Sequence, residues 1–201
     1  MKNIIPVIAV LAVFLGIQIA EARNMTEESG YKTAVFAGGC FWCVESDFKT
    51  LDGVIGVVSG YTGGHVENPS YEQVVSGTTG HVEAVKVTYD PEKLDYTTLL
   101  EHFWRNIDPF DDGGQFCDRG EQYRSVAFFG DEAEKAEIEA SKEHLAEKLG
   151  QEVKTLVVPR EIFYPAEDYH QNYAKRNPLR YRSYRYGCGR DPRLKDIWNE
   201  R

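Results

Sequence analysis

Two cysteines stand three residues apart in Gly38-Gly39-Cys40-Phe41-Trp42-Cys43. A thiol acts as a nucleophile through its thiolate, so its surroundings decide what it can do. Cys40 falls where an extended segment ends and an amphipathic one begins. Free N–H groups and the positive dipole end at a helix start favour a thiolate and lower the thiol pKa. The glycines before it allow another group to approach closely. The plainer alternative for Cys40 is a buried structural cysteine. Cys43 lies one helical turn on, and the C-x-x-C pair suits thiol–disulfide exchange of the thioredoxin type or half of a zinc site. A zinc ribbon needs a second close pair, whereas Cys117 and Cys188 stand far apart in Gln115-Phe116-Cys117-Asp118 and Tyr186-Gly187-Cys188-Gly189. Four cysteines allow three complete pairings, and spacing does not choose among them.

The elements that must position these groups are read from periodicity. Lys32 to Ala37 reads as a strand. Phe41, Val44, Phe48 and Leu51 form one apolar helical face that closes near Gly53. Val54 to Ser59 is a strand, and Gly60 to Tyr71 a loop rich in Gly, Asn and Pro. Val82 to Tyr89 is a strand, with Val85, Val87 and Tyr89 alternating against Ala84, Lys86 and Thr88. Leu99, Leu100, Phe103, Trp104 and Ile107 predict a second helix. After a loop from Asp108 to Gly120, Tyr123 to Phe129 is a strand. Asp131 caps a third helix running to Gly150, and Val153 to Val158 is a strand. Beyond Pro159 the chain is aromatic and basic, with weak periodicity until an apolar stretch around Leu194 and Trp198. This order predicts an α+β fold: a two-layer sandwich of a mixed or antiparallel sheet and helices, with a ferredoxin-like core and a long C-terminal tail.

The chain has 201 residues, a formal net charge of -9 and a pI near 5.1. An acidic surface repels phosphate backbones and argues against nucleic acid as a partner. Arg176, Arg180, Arg182, Arg185, Arg190 and Arg193 concentrate near the C-terminus and read as a solvated tail balancing local acids. At the other end, Lys2, an apolar run from Ile4 to Ala20 and the A-x-A sequence Ala20-Glu21-Ala22 read as a secretory signal peptide. The expected organisation is a leader over 1–22, a flexible lead-in over 23–30 and one catalytic domain over 31–201. The alternative for the leader is an uncleaved anchor, but the run is short and contains Pro6 and Gln18. Cleavage leaves no stable membrane insertion. An exported protein works where disulfides persist, in a periplasmic or other extracytoplasmic compartment.

Gly39-Cys40-Phe41-Trp42 resembles the signature of the peptide methionine-sulfoxide reductases of the A type. Four further stretches resemble the family's other blocks, in family order: Ser59 to Gly64 with Asn68 to Tyr71; Thr79 to Val85; Asp118 to Gly120 with Gln122 to Ser125; and Pro165 to Gln171. The resemblance implies reduction of methionine-S-sulfoxide, free or in oxidised proteins, by a thiolate, sulfenic acid and disulfide sequence. It implies no metal or bound cofactor, a thioredoxin-like dithiol as external reductant, and a role in protein repair. A monomer is expected.

By that resemblance Cys40 is the nucleophile, Glu83 the acid, and Tyr71 and Tyr123 the hydroxyl donors to the developing oxyanion. Asp118 orients the site, and Phe41 and Trp42 hold the substrate's methyl group. The chemistry suits these types: a sulfoxide oxygen leaves only when protonated, so a thiolate and an acid must act together. Glu83 sits among apolar strand residues, where burial raises a carboxyl pKa and keeps it protonated. A surface ion pair is its simpler alternative. His81 and His170 read as structural. The sulfenic acid on Cys40 needs a second thiol to condense with it. Cys188, between glycines in a tail expected to move, is the favoured resolving thiol, followed by Cys43 and then Cys117. Many family members carry Gly at the position of Cys43, so the order of disulfides stays open. Two rivals remain: a thiol–disulfide oxidoreductase using Cys40 and Cys43, which leaves Glu83 and the tyrosines without a shared task, and a binding module for oxidised methionine, which tolerates loss of the Cys40 thiol.

Overall fold

The computed structural model describes residues 30–198. The expected leader, and the lead-in up to residue 29, lie outside the described residues. Strand β1 (Lys32–Gly38) enters the centre of a six-stranded sheet, followed by α1 (Phe41–Phe48), β2 (Val54–Thr62), the short α2 (Tyr71–Val75), β3 (Val82–Tyr89) and α3 (Tyr96–Arg105). A two-stranded ribbon of β4 (Gly114–Gln115) and β5 (Asp118–Arg119) precedes a 3-10 turn (Glu121–Tyr123) and β6 (Ser125–Phe129). Then come α4 (Glu132–Leu149), β7 (Leu156–Pro159), β8 (Tyr164–Pro165), α5 (Tyr173–Arg176), α6 (Pro178–Gly187) and α7 (Arg190–Trp198). The sheet order is β7-β6-β1-β3-β2-β8. Its four central strands are antiparallel neighbours with β1 and β3 in the middle. The strand–helix–strand–strand–helix–strand order around them is the expected ferredoxin-like core. β7 joins β6 in parallel and makes the sheet mixed.

Strand alternation places the core. Ala34 and Phe36 of β1, with Val85, Val87 and Tyr89 of β3, face α1 and α3 and pack with Phe41, Phe48, Leu99 and Phe103. Phe36 stacks on Phe48 at 5.2 Å and on Phe103 at 4.8 Å between ring centroids. Val35, Ala37, Val82, Ala84, Val126 and Phe128 form a smaller apolar layer on the other face. By the same period of two, Glu83 ends the helix-facing row of β3, a carboxylate where the pattern supplies valines.

Several boundaries move for physical reasons. β2 continues to Thr62 because Gly60, Tyr61 and Thr62 pair with Ala84, Glu83 and Val82. Inside the expected loop, Tyr71 opens α2 behind a capping box made by Ser70 and Gln73. Tyr123 belongs to the 3-10 turn rather than to β6. Asp131 caps α4 by accepting from the Glu134 N–H at 2.8 Å, and Gly150 ends it in a left-handed conformation.

The largest departure is the C-terminal region. The expected mobile, solvated tail is three helices folded back onto α1. Arg185 pairs with Asp47 at 2.7 Å, Arg193 pairs with Asp108 at 2.6 Å, and buried Arg190 donates to the Gly38 carbonyl at 3.2 Å. These helices dock through arginine ion pairs and hydrogen bonds, with Arg190 fully buried, as well as through Tyr173, Tyr181 and Ile197, so apolar periodicity alone does not reveal them. Arg176, Arg180, Arg182 and Arg193 are exposed, as expected for all six, whereas Arg185 is half-buried and Arg190 buried.

Gly39 sets the entry to α1. Its φ is +81°, and a Cβ there would stand 2.5 Å from Cβ of Gln115. Gly39→Ala is expected to cost roughly 1–3 kcal/mol from the backbone conformation, plus the displacement of Gln115. Chemical denaturation checks this, and the loss should be matched by slower alkylation chemistry at a displaced Cys40.

Candidate active site

Cys40 is the residue immediately before α1, and its carbonyl accepts from the N–H groups of Cys43 at 3.0 Å and Val44 at 3.3 Å. The first N–H of the helix, that of Phe41, donates at 2.9 Å to Oε2 of Glu83. The anion-favouring position at this helix start is thus filled by a carboxyl rather than by the Cys40 sulfur. A lowered thiol pKa was the sequence-based expectation. Instead, burial pushes the Cys40 thiol well above the ordinary value, aided by the hydrogen bond with Cys43 and by Glu83. Cys43 moves the other way, to about 7: its hydrogen bond with Cys40 is the largest cause, and nearby Arg190 and Arg185 also favour its thiolate.

Glu83 is 2 % exposed, and burial lifts its carboxyl to about 8 against the Phe41 N–H, which favours the ionised form. It is a neutral acid at neutral pH. Tyr71, hydrogen-bonded to Tyr123, is raised to about 12, chiefly by burial, with Glu83 and Cys40 adding to the effect. Tyr123 is raised further by burial and then by Glu83. Both phenols keep their protons and can donate them.

One cavity of about 60 Å³ is lined by Cys40, Phe41, Trp42, Tyr71, Glu83, Asp118, Tyr123 and Tyr184. Because one water needs only about 10–15 Å³ of such volume, the cavity has room for a group of a few atoms. The structure therefore brings Cys40, Glu83, both expected tyrosines, Asp118 and both aromatic residues to one place. Cys43 meets the Cys40 sulfur from outside the lining. Tyr184 was missed from sequence. It lies among six tyrosine and arginine positions of α6, and only the docking of that helix brings it to the cavity.

Neighbouring groups hold this lining. Tyr71 N–H and the Tyr61 hydroxyl donate to Oε1 and Oε2 of Glu167 at 2.9 and 2.8 Å. Burial opposes ionisation of Glu167, but these donors outweigh it and hold the carboxyl low. Trp42 Nε1 donates to Nδ1 of His170 at 3.0 Å, and the His170 ring packs against Phe41 and Tyr71. Burial lowers the His170 pKa, so it stays a neutral acceptor that orients Trp42. His81 accepts from Gly64 N–H at 3.1 Å and contacts the Val66 carbonyl at 2.7 Å, fixing a loop. Buried Glu45 binds Lys49 and the Asn172 N–H, tying α1 to α5.

Cys188 is joined to Cys117 by a disulfide, leaving Cys40 and Cys43 as the free thiols among the described residues. The favoured resolving thiol thus caps α6 on a fixed helix instead of moving freely in a tail. The thiol in contact with Cys40 is Cys43. Cys117, Cys188 and Asp118 place possible metal-ligating atoms within 4.8 Å of one another, but the S–S bond removes both sulfurs as thiolate ligands.

The peptide methionine sulfoxide reductase family profile matches residues 32–201. A peptide methionine sulfoxide reductase MsrA 2 of Caulobacter vibrioides is 54% identical over 194 residues, covering 94% of each chain. Among solved structures, Mxr1 from Saccharomyces cerevisiae in reduced form is similar with a TM-score of 0.71 and 32% identity, covering 75% of this chain and 87% of that one. The same yeast protein in complex with Trx2 shares the fold, at a TM-score of 0.53 and 24% identity over 73% of this chain and 86% of that one. With the match spanning the sheet, the helices and every residue of the cavity, this chain belongs to the peptide methionine sulfoxide reductase family, A type, and is a cysteine-based oxidoreductase that reduces methionine sulfoxide.

Proposed function

We propose that Cys40 attacks the sulfur of methionine-S-sulfoxide while Glu83 protonates its oxygen. The observation that carries this is the convergence on one small cavity of a thiol, a neutral carboxyl and two phenol donors. Phe41 and Trp42 supply the apolar wall for the S-methyl group. Tyr71 and Tyr123 donate to the oxygen as charge builds on it, and Glu83, held through Oε2 by Phe41 N–H, delivers a proton. The thiol and the sulfoxide become a sulfenic acid on Cys40 and methionine: the cysteine sulfur is oxidised by two electrons and the methionine sulfur reduced by two.

Resolution follows at Cys43. The Cys43 sulfur attacks the sulfenic sulfur, the Cys40–Cys43 bond forms as the S–O bond breaks, and the proton lost from the Cys43 thiol ends on the leaving oxygen, which departs as water. Contact between the sulfurs and the stabilisation of a Cys43 thiolate by the Arg190 and Arg185 charges support this order over one beginning at Cys188. An external thioredoxin-like dithiol then reduces the disulfide, a pairing the yeast relative's complex with Trx2 exhibits for that protein. The substrates are oxidised proteins and free methionine sulfoxide, and the role is repair. The leader sequence over 1–22 and the Cys117–Cys188 disulfide both support a site of action outside the cytoplasm.

Turnover of separate S and R epimers of a blocked methionine sulfoxide, with dithiothreitol as reductant, tests the reading. S-selective reduction is expected, with loss of activity in Cys40→Ser. Activity in Cys40→Ser, or none in the folded, reduced protein, sinks it. Cys43→Ser is expected to keep one rapid turnover and to accumulate a sulfenic acid that dimedone traps.

Burial of Glu83 also sets a stability signature. Its folded pKa of about 8 lies above the ordinary 4.5, so between these values the folded protein holds a proton that the unfolded chain has released. Stability therefore falls as pH rises through that window, and this contribution is flat below and above it. Glu83→Gln is expected to be more stable than the parent by roughly 2–4 kcal/mol at pH 8 and by little at pH 4.5, read from urea unfolding at both values.

A further inference from the structure

The proposed chemistry leaves one proton without a destination, that of the Cys40 thiol. Glu83 is already protonated and serves the oxygen. Cys40 is faced by Cys43 from its own helix, Glu83 from β3, Tyr71 from α2, Tyr123 beside β6 and Tyr184 from α6. The Tyr184 hydroxyl has a hydrogen bond with the Cys40 sulfur and donates to Oδ2 of Asp118. Tyr184 also meets Trp42 edge-on at 5.8 Å, so its ring is held in the wall of the cavity. Asp118 is half-buried and is faced by Tyr184 and by the Arg190 guanidinium of α7. Burial raises its carboxyl above the ordinary value, toward the range where a carboxylate takes up a proton during a reaction.

The disulfide braces this pair at both ends. Cys117 directly precedes Asp118. Cys188 lies one turn beyond Tyr184, and its N–H donates to the Tyr184 carbonyl at 2.9 Å. Cys188 Sγ stands 3.7 Å from Asp118 Oδ2 and 4.0 Å from the Tyr184 oxygen.

We propose that Tyr184 and Asp118 form the relay that removes the Cys40 proton, and that the Cys117–Cys188 disulfide is the brace of this relay rather than a step in the redox cycle. The S–H proton passes to the Tyr184 oxygen as the Tyr184 proton passes to Asp118 Oδ2. Cys40 becomes a thiolate, Tyr184 stays neutral, Asp118 becomes a neutral acid, and no electrons move. The two carboxyls divide the work: Asp118 accepts from the nucleophile and Glu83 donates to the leaving oxygen. The relay rests on Cys40 being the nucleophile.

Single-turnover reduction of a blocked S-sulfoxide is measured from pH 5 to 9 in the full chain, with Tyr184→Phe, Asp118→Asn and the double variant, and thermal melting confirms the fold of each. Each single variant is expected to lose about 10²-fold near neutral pH. The residual rate should climb steeply with pH, because only hydroxide then makes the thiolate. The double variant should be no slower than the slower single variant, as for residues acting in one chain. A pH profile of unchanged shape, or losses that multiply in the double variant, overturns the relay. Unchanged Tyr184→Phe with inactive Cys40→Ser removes the relay and leaves the nucleophile standing, whereas active Cys40→Ser removes both. Cys117→Ser/Cys188→Ser should slow the same single turnover yet still form the Cys40–Cys43 disulfide. A normal first turnover followed by failure to form any disulfide would place Cys117 and Cys188 in the redox cycle instead.

Discussion

The buried hydrogen bond from Phe41 N–H to Glu83 is the contact on which the site depends. It joins the start of α1 to the end of the helix-facing row of β3, and so fixes the helix that follows Cys40 to the strand that carries Glu83. It also occupies the helix terminus that would otherwise favour a thiolate. A charged carboxylate there, buried beside a thiolate, would place two like charges in a low-dielectric site. The structure avoids this by keeping the carboxyl protonated and the Cys40 thiol neutral at rest. In the mechanism we propose, charge is created only during the reaction, beside the phenols of Tyr71 and Tyr123 that line the same cavity.

Much of this was legible from residues. The apolar strand residues around Glu83 pointed to its burial, and the strand-to-helix break placed Cys40. The ferredoxin-like core followed from the order of clear apolar periods. The direction of the Cys40 pKa did not follow, because a local rule about helix starts cannot know which group the Phe41 N–H will find across the sheet. The same limit hid Tyr184 and the fixed position of Cys188. Helices α6 and α7 dock partly through arginine side chains, Arg185 to Asp47 and Arg190 to Gly38 O, so their apolar pattern is weak and their charge reads as solvated.

The C-terminal helices therefore do more than cover the sheet. They bring two guanidinium groups toward Cys43, one phenol to the cavity, and one cysteine to the loop before β5. The C-x-x-C pair gains a difference between its two sulfurs from this packing: Cys40 is held as a buried thiol, and Cys43 leans toward the thiolate. That asymmetry suits a sequence in which the first sulfur is oxidised by substrate and the second closes the disulfide.

The central claim is that Glu83 is a neutral acid at the start of α1 under working conditions. Carbon-13 NMR of carboxyl-labelled glutamate, with Glu83→Gln to assign the resonance, measures this directly across pH 4 to 10. A titration midpoint near 8 is the expected result. A midpoint in the ordinary range near 4.5 would mean a carboxylate faces the thiol at neutral pH, and the assignment of Glu83 as proton donor would fall.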